Sequence, residues 1–165
     1  MKLRPFNIDT DLEDMKNWIN DERSHAMWCA NIIRYPINRE NLLEGLKEAE
    51  KRFGDTPFVA VNEKDKAEGF FSYSYNKETK EAMLKFVVVD PKVRGKGIAQ
   101  NMLKLAAEYA FNETGADGLQ LNVFPENIRA KKCYEKAGFL ERNTTYNAFN
   151  FGDESWGRCN MILHR

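Results

Sequence analysis

A basic turn with two glycines is the first segment of this sequence suited to chemistry. Residues 94–97 read Arg-Gly-Lys-Gly, directly after an apolar run and before a helical pattern that starts at Ile98. Glycine permits tight turn angles and close backbone approach, and the first turn of a helix presents unpaired N–H groups at the positive end of its dipole. Such a turn predicts a site for a pyrophosphate. A plain strand-to-helix connection with basic surface residues is the alternative.

The turn does not fit two common phosphate-binding patterns. The Walker pattern requires G-x-x-x-x-G-K-[ST], and the dinucleotide pattern requires G-x-G-x-x-G with an acidic residue about twenty positions later. Neither occurs in the sequence. The segment therefore needs another explanation.

An asparagine and a tyrosine form the second group of residues suited to ligand binding. Asn127 stands where a helix is predicted to begin, and Tyr134 follows seven residues later. That spacing is close to two helical turns, so both side chains lie on one face and one ligand can contact both. A purely structural explanation is also open, with Asn127 as a helix cap and Tyr134 as a core residue.

Together the two segments resemble the GNAT superfamily of N-acetyltransferases. The phosphate-binding signature of that family, [QR]-x-x-G-x-[GA] after the fourth strand, is filled by Arg94, Gly97 and Ala99. The family pattern N-x-x-A-x-x-x-Y-x-x-x-G-F is matched by Asn127, Ala130, Tyr134, Gly138 and Phe139. The resemblance is strong over residues 83–139 and rests elsewhere on the order of the elements.

The resemblance implies acetyl-CoA as co-substrate and assigns residues to it. Backbone amides of the turn would hold the pyrophosphate, at Arg94, Gly95, Lys96, Gly97, Ile98 and Ala99. Main-chain groups of the preceding strand would bind the pantetheine arm and the acetyl carbonyl, at Val87, Val88 and Val89. Asn127 would hydrogen-bond the pantetheine arm. Tyr134 would protonate the departing thiolate, a general-acid role worth about 10² to 10⁴ in rate.

The general base is not identified by the resemblance. Many family members carry a glutamate on the fifth strand, five residues before the asparagine, and here that position is Asn122. An amide cannot accept a proton at neutral pH, so Asn122 is expected to order a water or bind the substrate, or else to be a solvent-facing strand residue. Glu81 and His25 are the other candidates, although such residues are more often solvated or packed.

Cys133 raises the question of an acyl-enzyme intermediate. It lies on an apolar helix stripe with no histidine nearby in sequence, so its thiolate fraction should be small. Direct attack on acetyl-CoA in a ternary complex is therefore the expected mechanism, with strand amides polarising the carbonyl.

The hydrophobic pattern predicts the elements that position these residues. Strands are expected near residues 3–8, 58–62, 69–75, 82–89, 119–124, 139–146 and 155–163. The run at 83–89 is apolar on both faces except at Lys85, which suits the middle of a sheet. The fold class is α+β, with a GNAT-like mixed, mostly antiparallel central sheet of about seven strands flanked by helices.

Five helices are expected around this sheet. Polar residues at 9–11 suit the cap of a helix that carries Leu12, Met15, Trp18 and Ile19. Asn38 suits the cap of another, ended by Gly54, with a buried stripe of Leu42, Leu46, Ala49 and Phe53. The others are expected near residues 22–30, 98–112 and 128–137.

Length and composition limit the class of protein. The 165 residues suit one domain over 1–165, and the 25 basic and 25 acidic residues cancel, so no net charge favours nucleic acid or a membrane surface. Three cysteines without a C-x-x-C pair argue against a disulfide framework and a zinc site, so no metal is expected. The sequence has no signal-like or membrane-spanning apolar run, which favours a cytoplasmic protein.

The expected function is transfer of an acetyl group from acetyl-CoA to a primary amine on a small molecule or peptide. A non-catalytic acyl-CoA-binding or regulatory domain is the alternative, favoured by Asn122 alone, and an unrelated structural protein is a third explanation. The acceptor is expected between the N-terminal helices and the aromatic-rich residues 143–156, where the substrate charge depends on whether Arg23, Arg34 or Glu154 faces the cleft. The aromatic last strands are compatible with a homodimer.

Overall fold

Seven strands and five α-helices make up the computed structural model, which describes residues 1–165. The strands are β1 (Lys2–Pro5), β2 (Thr56–Val61), β3 (Ala67–Asn76), β4 (Glu81–Val89), β5 (Gly118–Val123), β6 (Leu140–Phe151) and β7 (Glu154–His164). The helices are α1 (Ile8–Met15), α2 (Glu22–Cys29), α3 (Arg39–Phe53), α4 (Ile98–Glu108) and α5 (Ile128–Lys136). No helix is both long enough and apolar enough to span a membrane.

The strands form one mixed sheet in the order β1-β2-β3-β4-β5-β7-β6. β4 and β5 are parallel, and α4 supplies the crossover that a parallel pair requires. The other neighbours are antiparallel. The α+β class is confirmed, and β4 is the central strand, as predicted.

β4 and β5 pair over only part of their length. The register runs from Glu81 opposite Gly118 to Leu84 opposite Leu121, whereas β4 continues to Val89. Beyond Leu84, the edge of β4 that faces β5 has no partner strand. Because buried main-chain groups need hydrogen-bond partners, this gap suits a ligand that carries such groups itself.

A bulge in β4 lies at the start of the gap. The register with β3 shifts between Phe70 and Ser72, and Phe86 has φ of 54°, which is rare for a bulky residue. The Phe86 carbonyl accepts a 2.8 Å hydrogen bond from Trp28 Nε1 on α2. Leu84 and Phe86 consequently belong to opposite cores, because a bulge interrupts the alternation of the strand.

Two main cores lie on opposite faces of the sheet. On one face α4 and α5 pack against the sheet, with Met102, Ala106, Leu121, Tyr134 and Phe139 among the buried residues. On the other face α1, α2 and α3 pack against β2, β3 and β4, with Met15, Ile33, Leu42, Phe70 and Phe86. The second core contains no residue of β5, β6 or β7, and a third, smaller core joins Ala26 of α2 to Phe124 and to Trp156 of β7.

The N-terminal boundaries differ from the prediction. The first strand ends at Pro5, and α1 begins directly after Asn7, whose side chain caps it in place of residues 9–11. Trp18 and Ile19 are buried in the turn after α1, not on the helix. Asparagine and aspartate are about equally good caps, so the pattern alone did not select the position.

The end of α3 also differs. Asn38 caps α3 and Gly54 ends it, as predicted, but Phe53 is 54% exposed and does not continue the buried stripe. Its ring lies under Lys85, with Nζ 3.9 Å from the ring centroid, and Lys85 also pairs with Asp55 at 2.7 Å. This cation–π contact gives the ring a partner at the surface.

Helix α4 is shorter than predicted, and strand β6 is longer. α4 ends at Glu108 and continues as a π-helical turn, Tyr109–Glu113. β6 reaches Phe151, beyond the predicted residue 146, because its register with β7 shifts between Thr145 and Phe149. This bulge interrupts the alternation on which the prediction depended.

Candidate active site

One cleft of about 1550 Å³ crosses the molecule and passes between the diverging β4 and β5. We call its two ends the helix end, formed by residues 94–99 and α5, and the sheet end, formed by Asn122, Arg158 and α2. The cleft is lined by every predicted site residue except Lys96, namely Val87, Val88, Val89, Arg94, Gly95, Gly97, Ile98, Ala99, Asn122, Asn127 and Tyr134. The two sequence motifs therefore share one cavity.

The N-terminus of α4 is open. Gly95 and Gly97 have φ of 77° and 78°, and no atom lies within 4 Å of where a Cβ would stand at either position. No side chain caps α4, and its first turn contains no acidic residue. Free N–H groups at a helix start suit an anion. The exposed Lys96 side chain lies outside the cleft, so only its main chain belongs to the turn.

Two arginines stand close together at the helix end. Burial lowers the pKa of Arg94, and the nearby charge of Arg129 lowers it further, while Asp90 acts in the opposite direction. Neither arginine takes part in an ion pair of the chain. Two cationic side chains without a salt bridge therefore lie beside the start of α4.

Asn127 and Tyr134 occupy the same face of α5. The side-chain oxygen of Asn127 accepts a hydrogen bond from Ala130 N at 3.3 Å, so Asn127 is a helix cap whose amide nitrogen remains available. Tyr134 is 8% exposed, and its ring meets Phe139 edge to face at 6.1 Å. Burial raises the pKa of Tyr134, which keeps its hydroxyl protonated at neutral pH.

A polar network fixes the direction of the Asn122 amide. Asn160 Oδ1 accepts a hydrogen bond from Arg142 Nε at 2.7 Å, and arginine has donors only, so the other end of this amide is nitrogen. Asn160 Nδ2 donates to Asn122 Oδ1 at 2.9 Å. Nδ2 is therefore the free end of the exposed Asn122, which offers the sheet end a hydrogen-bond donor and not a base.

The same network occupies Glu81. Its carboxylate accepts from Arg142 at 2.8 Å and from Gln120 Nε2 at 2.8 Å. Arg142 also donates to Gln120 Oε1 at 3.0 Å. Because the charge of Glu81 is paired, this carboxylate is a poor candidate base.

Two further carboxylates line the cleft, those of Asp21 and Glu126. Asp21 caps α2, and the hydrogen bond from Ser24 N lowers its pKa, which makes it a weak base. Glu126 accepts from Gly157 N at 3.1 and 3.2 Å and pairs with no cation. Glu126 is therefore the lining carboxylate that neither pairs with a cation nor caps a helix.

His25 and Cys133 have structural roles. His25 is fully buried, with Nε2 2.7 Å from the Ile33 carbonyl oxygen, and it does not line the cleft. Cys133 does line the cleft, but burial raises the pKa of its thiol. Its sulfur accepts a 3.3 Å hydrogen bond from Gln100. Burial outweighs this hydrogen bond, which by itself lowers the pKa of the thiol, so the neutral thiol is favoured, and it is a weak nucleophile.

The charges considered for the acceptor are paired. Arg23 lines the cleft but donates two 2.9 Å hydrogen bonds to Glu154. Arg34 pairs with Glu44 and lies outside the cleft. Arg158 is the cation at the sheet end without an ion pair in the chain.

The aromatic wall is smaller than expected. Phe149 lines the cleft. Trp156 is buried and stacks with Phe149 and Phe151, with centroids 5.4 Å apart in each pair. Tyr146 is 81% exposed and lies outside the cleft. Most of this segment is thus a small core that supports the sheet end.

Sequence reasoning missed Glu126, Arg158 and Trp28. Glu126 directly precedes Asn127, so an acidic residue beside the predicted helix cap was a usable signal. Alternation along β7 was a weaker signal for Arg158. The contact of Trp28 with the bulged carbonyl joins residues 58 positions apart, and no local pattern indicates it.

Comparison with known proteins finds acetyltransferases. The sequence model of the acetyltransferase (GNAT) family matches residues 12–139. A kanamycin resistance protein of Rhizobium radiobacter is 38% identical over 50 residues, which cover 30% of this chain and 46% of that protein. A streptothricin acetyltransferase of Streptomyces lavendulae is 35% identical over 82 residues, which cover 50% of this chain and 43% of that protein. The chain matches less than half the length of these relatives.

A solved structure shares the fold along almost the whole chain. It is a spermidine N-acetyltransferase from Vibrio cholerae in complex with CoA and spermine, with a TM-score of 0.79 and 21% identity. The superposition covers 99% of this chain and 94% of that chain. At this identity the likeness concerns the fold, whereas the family match extends over most of the sequence. The chain belongs to the acetyltransferase (GNAT) family.

Proposed function

We propose that the chain is an acetyl-CoA-dependent N-acetyltransferase, folded as one domain over residues 1–165, which acetylates a primary amine in a ternary complex. The observation that carries this proposal is the gap between β4 and β5, which joins the open start of α4 to Tyr134 and Asn122 in one cleft. Two ligands that enter from opposite ends meet in this gap. Membership of the family supports the same reaction.

The residues at the helix end fit acetyl-CoA. The open turn at Gly95 and Gly97 suits its pyrophosphate. The unpaired edge of β4 at residues 87–89 suits the amides of its pantetheine arm, and the free nitrogen of Asn127 adds a donor beside them. When bound, acetyl-CoA supplies an acetyl group activated as a thioester.

Tyr134 is the proposed general acid. Its raised pKa keeps the proton on the hydroxyl at working pH, and its place in the cleft wall allows that hydroxyl to donate to a sulfur leaving group. Its ring packs in the core with the neighbouring Ala130, Cys133 and Ala137 of α5, so the surroundings of the ring are mainly apolar.

Glu126 is the proposed general base. An ammonium group must lose a proton before it can attack, and Glu126 is the lining carboxylate that is neither ion-paired nor a helix cap. Asn122 has a different role, since its free Nδ2 donates a hydrogen bond to an oxygen of the acceptor.

The acceptor is a primary amine on a small molecule or peptide. The relatives are named for kanamycin resistance and streptothricin acetylation, and the structural neighbour holds spermine. All three compounds carry amines, which supports this class of acceptor. The charges of Arg23 and Lys85 are paired, and the unpaired Arg158 and Glu126 have opposite signs, so the lining has no strong bias toward either sign.

The test begins with thermal stabilisation by acetyl-CoA, compared with NAD and ATP. A ligand specific for the native state raises the thermal midpoint by mass action, and we expect this from acetyl-CoA alone. The second measurement is release of CoA thiol with a panel of amines, which should depend on the acceptor. Stabilisation without acceptor-dependent release would instead support the non-catalytic acyl-CoA-binding domain, and no stabilisation would contradict both.

A further inference from the structure

A group of cations lines the helix end without carboxylate partners. Its members are Arg94, Arg129, Lys132 and Lys136. None of them takes part in the ion pairs of the chain. Lys131 on the same helix contrasts with them, because it pairs with Glu135 at 3.8 Å and Glu141 at 2.9 Å and lies outside the cleft.

Three of these cations form a stripe along α5. Arg129, Lys132 and Lys136 stand at positions i, i+3 and i+7, which share one face of a helix. Like charges at this spacing destabilise a helix. The arrangement thus opposes the stability of α5 while no anion is bound.

The position of Arg129 adds to this cost. It is the second residue of α5, whose first turn contains no acidic residue, and a cation is unfavourable at the positive end of the helix dipole. The cations before α4 stand at a positive helix end as well. Positive side chains thus stand at the positive ends of two helix dipoles, and such an unfavourable arrangement is typical of a functional site. A bound anion would compensate it.

Coenzyme A carries more phosphate than the α4 turn accounts for. The open turn and Arg94 suit the pyrophosphate, which leaves the separate 3′-phosphate of the ribose without a partner. We propose that Arg129, Lys132 and Lys136 form a subsite for this 3′-phosphate, so that the protein selects coenzyme A over dephospho-coenzyme A. The inference rests on the acetyl-CoA site of the proposed function and adds a determinant of ligand selectivity.

The test compares coenzyme A with dephospho-coenzyme A in calorimetric titrations of the full chain. A charge-assisted contact to a phosphate predicts that the wild type binds coenzyme A about tenfold to a hundredfold more tightly. Arg129→Ala and Lys132→Ala should each reduce this ratio several-fold. Their affinity for dephospho-coenzyme A should stay within about twofold of the wild type.

Lys131→Ala is the matched control, because it removes an equal charge from the same helix outside the cleft. It should leave the ratio unchanged. Equal affinity of the wild type for both ligands would overturn the subsite, and so would an equal loss for both ligands in Lys132→Ala. Acceptor-dependent thiol release would still establish the proposed function in those cases, so the two failures are distinguishable. The wild-type comparison requires no variant and does not depend on how the variants fold.

Discussion

The two ends of the cleft are built in different ways. The helix end is local: consecutive residues 94–99 shape it, with two glycines at positive φ and main-chain groups as the donors. The sheet end is assembled from distant strands, where Arg142 joins Glu81 across 61 positions and Asn160 joins Asn122 across 38. The proposed pyrophosphate contacts thus depend on a short segment, while contacts with the acceptor depend on several strands of the sheet.

This difference also decides which substitutions matter at each end. Main-chain donors persist through most side-chain changes, so the turn at residues 94–99 is sensitive mainly at its glycines. At the sheet end one side chain orients the next, so a change at Arg142 alters Asn122 without touching a ligand. Four substitutions test this difference between main-chain binding at the turn and side-chain contacts elsewhere in the cleft.

The largest effect is expected where the two ends meet, at Tyr134. Tyr134→Phe removes the proposed acid and should lower kcat about 10²-fold or more, while acetyl-CoA affinity changes little. Steady-state kinetics and titration with acetyl-CoA measure the two quantities. Tyr146→Phe is the control, because Tyr146 is 81% exposed and outside the cleft. A kcat of Tyr134→Phe within twofold of wild type would remove Tyr134 from the mechanism.

Glu126→Gln tests whether Glu126 removes the proton from the acceptor ammonium. We expect kcat at neutral pH to fall about tenfold to a hundredfold and to recover partly at higher pH, where more of the amine is already neutral. Glutamine still accepts from Gly157 N, so the thermal midpoint should hold. An unchanged pH–rate profile would show that another group or solvent takes the proton.

Gly97→Ala sharpens the claim that main-chain geometry determines binding at the helix end. Alanine at φ of 78° is strained by about 1 to 2 kcal/mol. Gly54→Ala carries the same strain at φ of 69° far from the turn, so both variants should lose similar stability. Acetyl-CoA affinity should fall about tenfold for Gly97→Ala alone. Equal affinity in the two variants would contradict a role for this turn.

Asn122→Asp is expected to have the smallest effect. It replaces the free amide donor by an acceptor, and one neutral hydrogen bond is worth about 0.5 to 1.5 kcal/mol, so a few-fold change is expected. In the wild type, an acceptor amine with an oxygen beside it should have a higher kcat/KM than a matched amine without that oxygen. Asn122→Asp should remove this difference. Asn150→Asp adds the same charge on exposed β6 as a control. A preserved difference would show that Asn122 does not contact the acceptor.

The sequence predicted the helix end far better than the sheet end. Arg94, Gly97 and Asn127 lie in the cleft as expected, because their spacing is local and a turn and a helix follow from neighbouring residues. The middle position of β4 also followed from its apolar run.

The sheet end depends on contacts that no local pattern contains. The direction of the Asn122 amide is set by Asn160 and Arg142 on other strands. The bulge at Phe86 reverses which face the next residues occupy, and Trp28 reaches it from α2. The predicted end of β6 at residue 146 was wrong for the same reason, because the register shift after Thr145 ends the regular alternation.

The hydrogen bond between Gly157 N and Glu126 links the proposed binding sites of the two substrates. It connects β7, beside the acceptor, to the residue just before the Asn127 cap of α5. An acceptor that shifts Glu126 also shifts the start of α5 at Asn127, where acetyl-CoA is proposed to bind. Thermodynamic linkage then requires that each substrate change the affinity of its companion by one common factor.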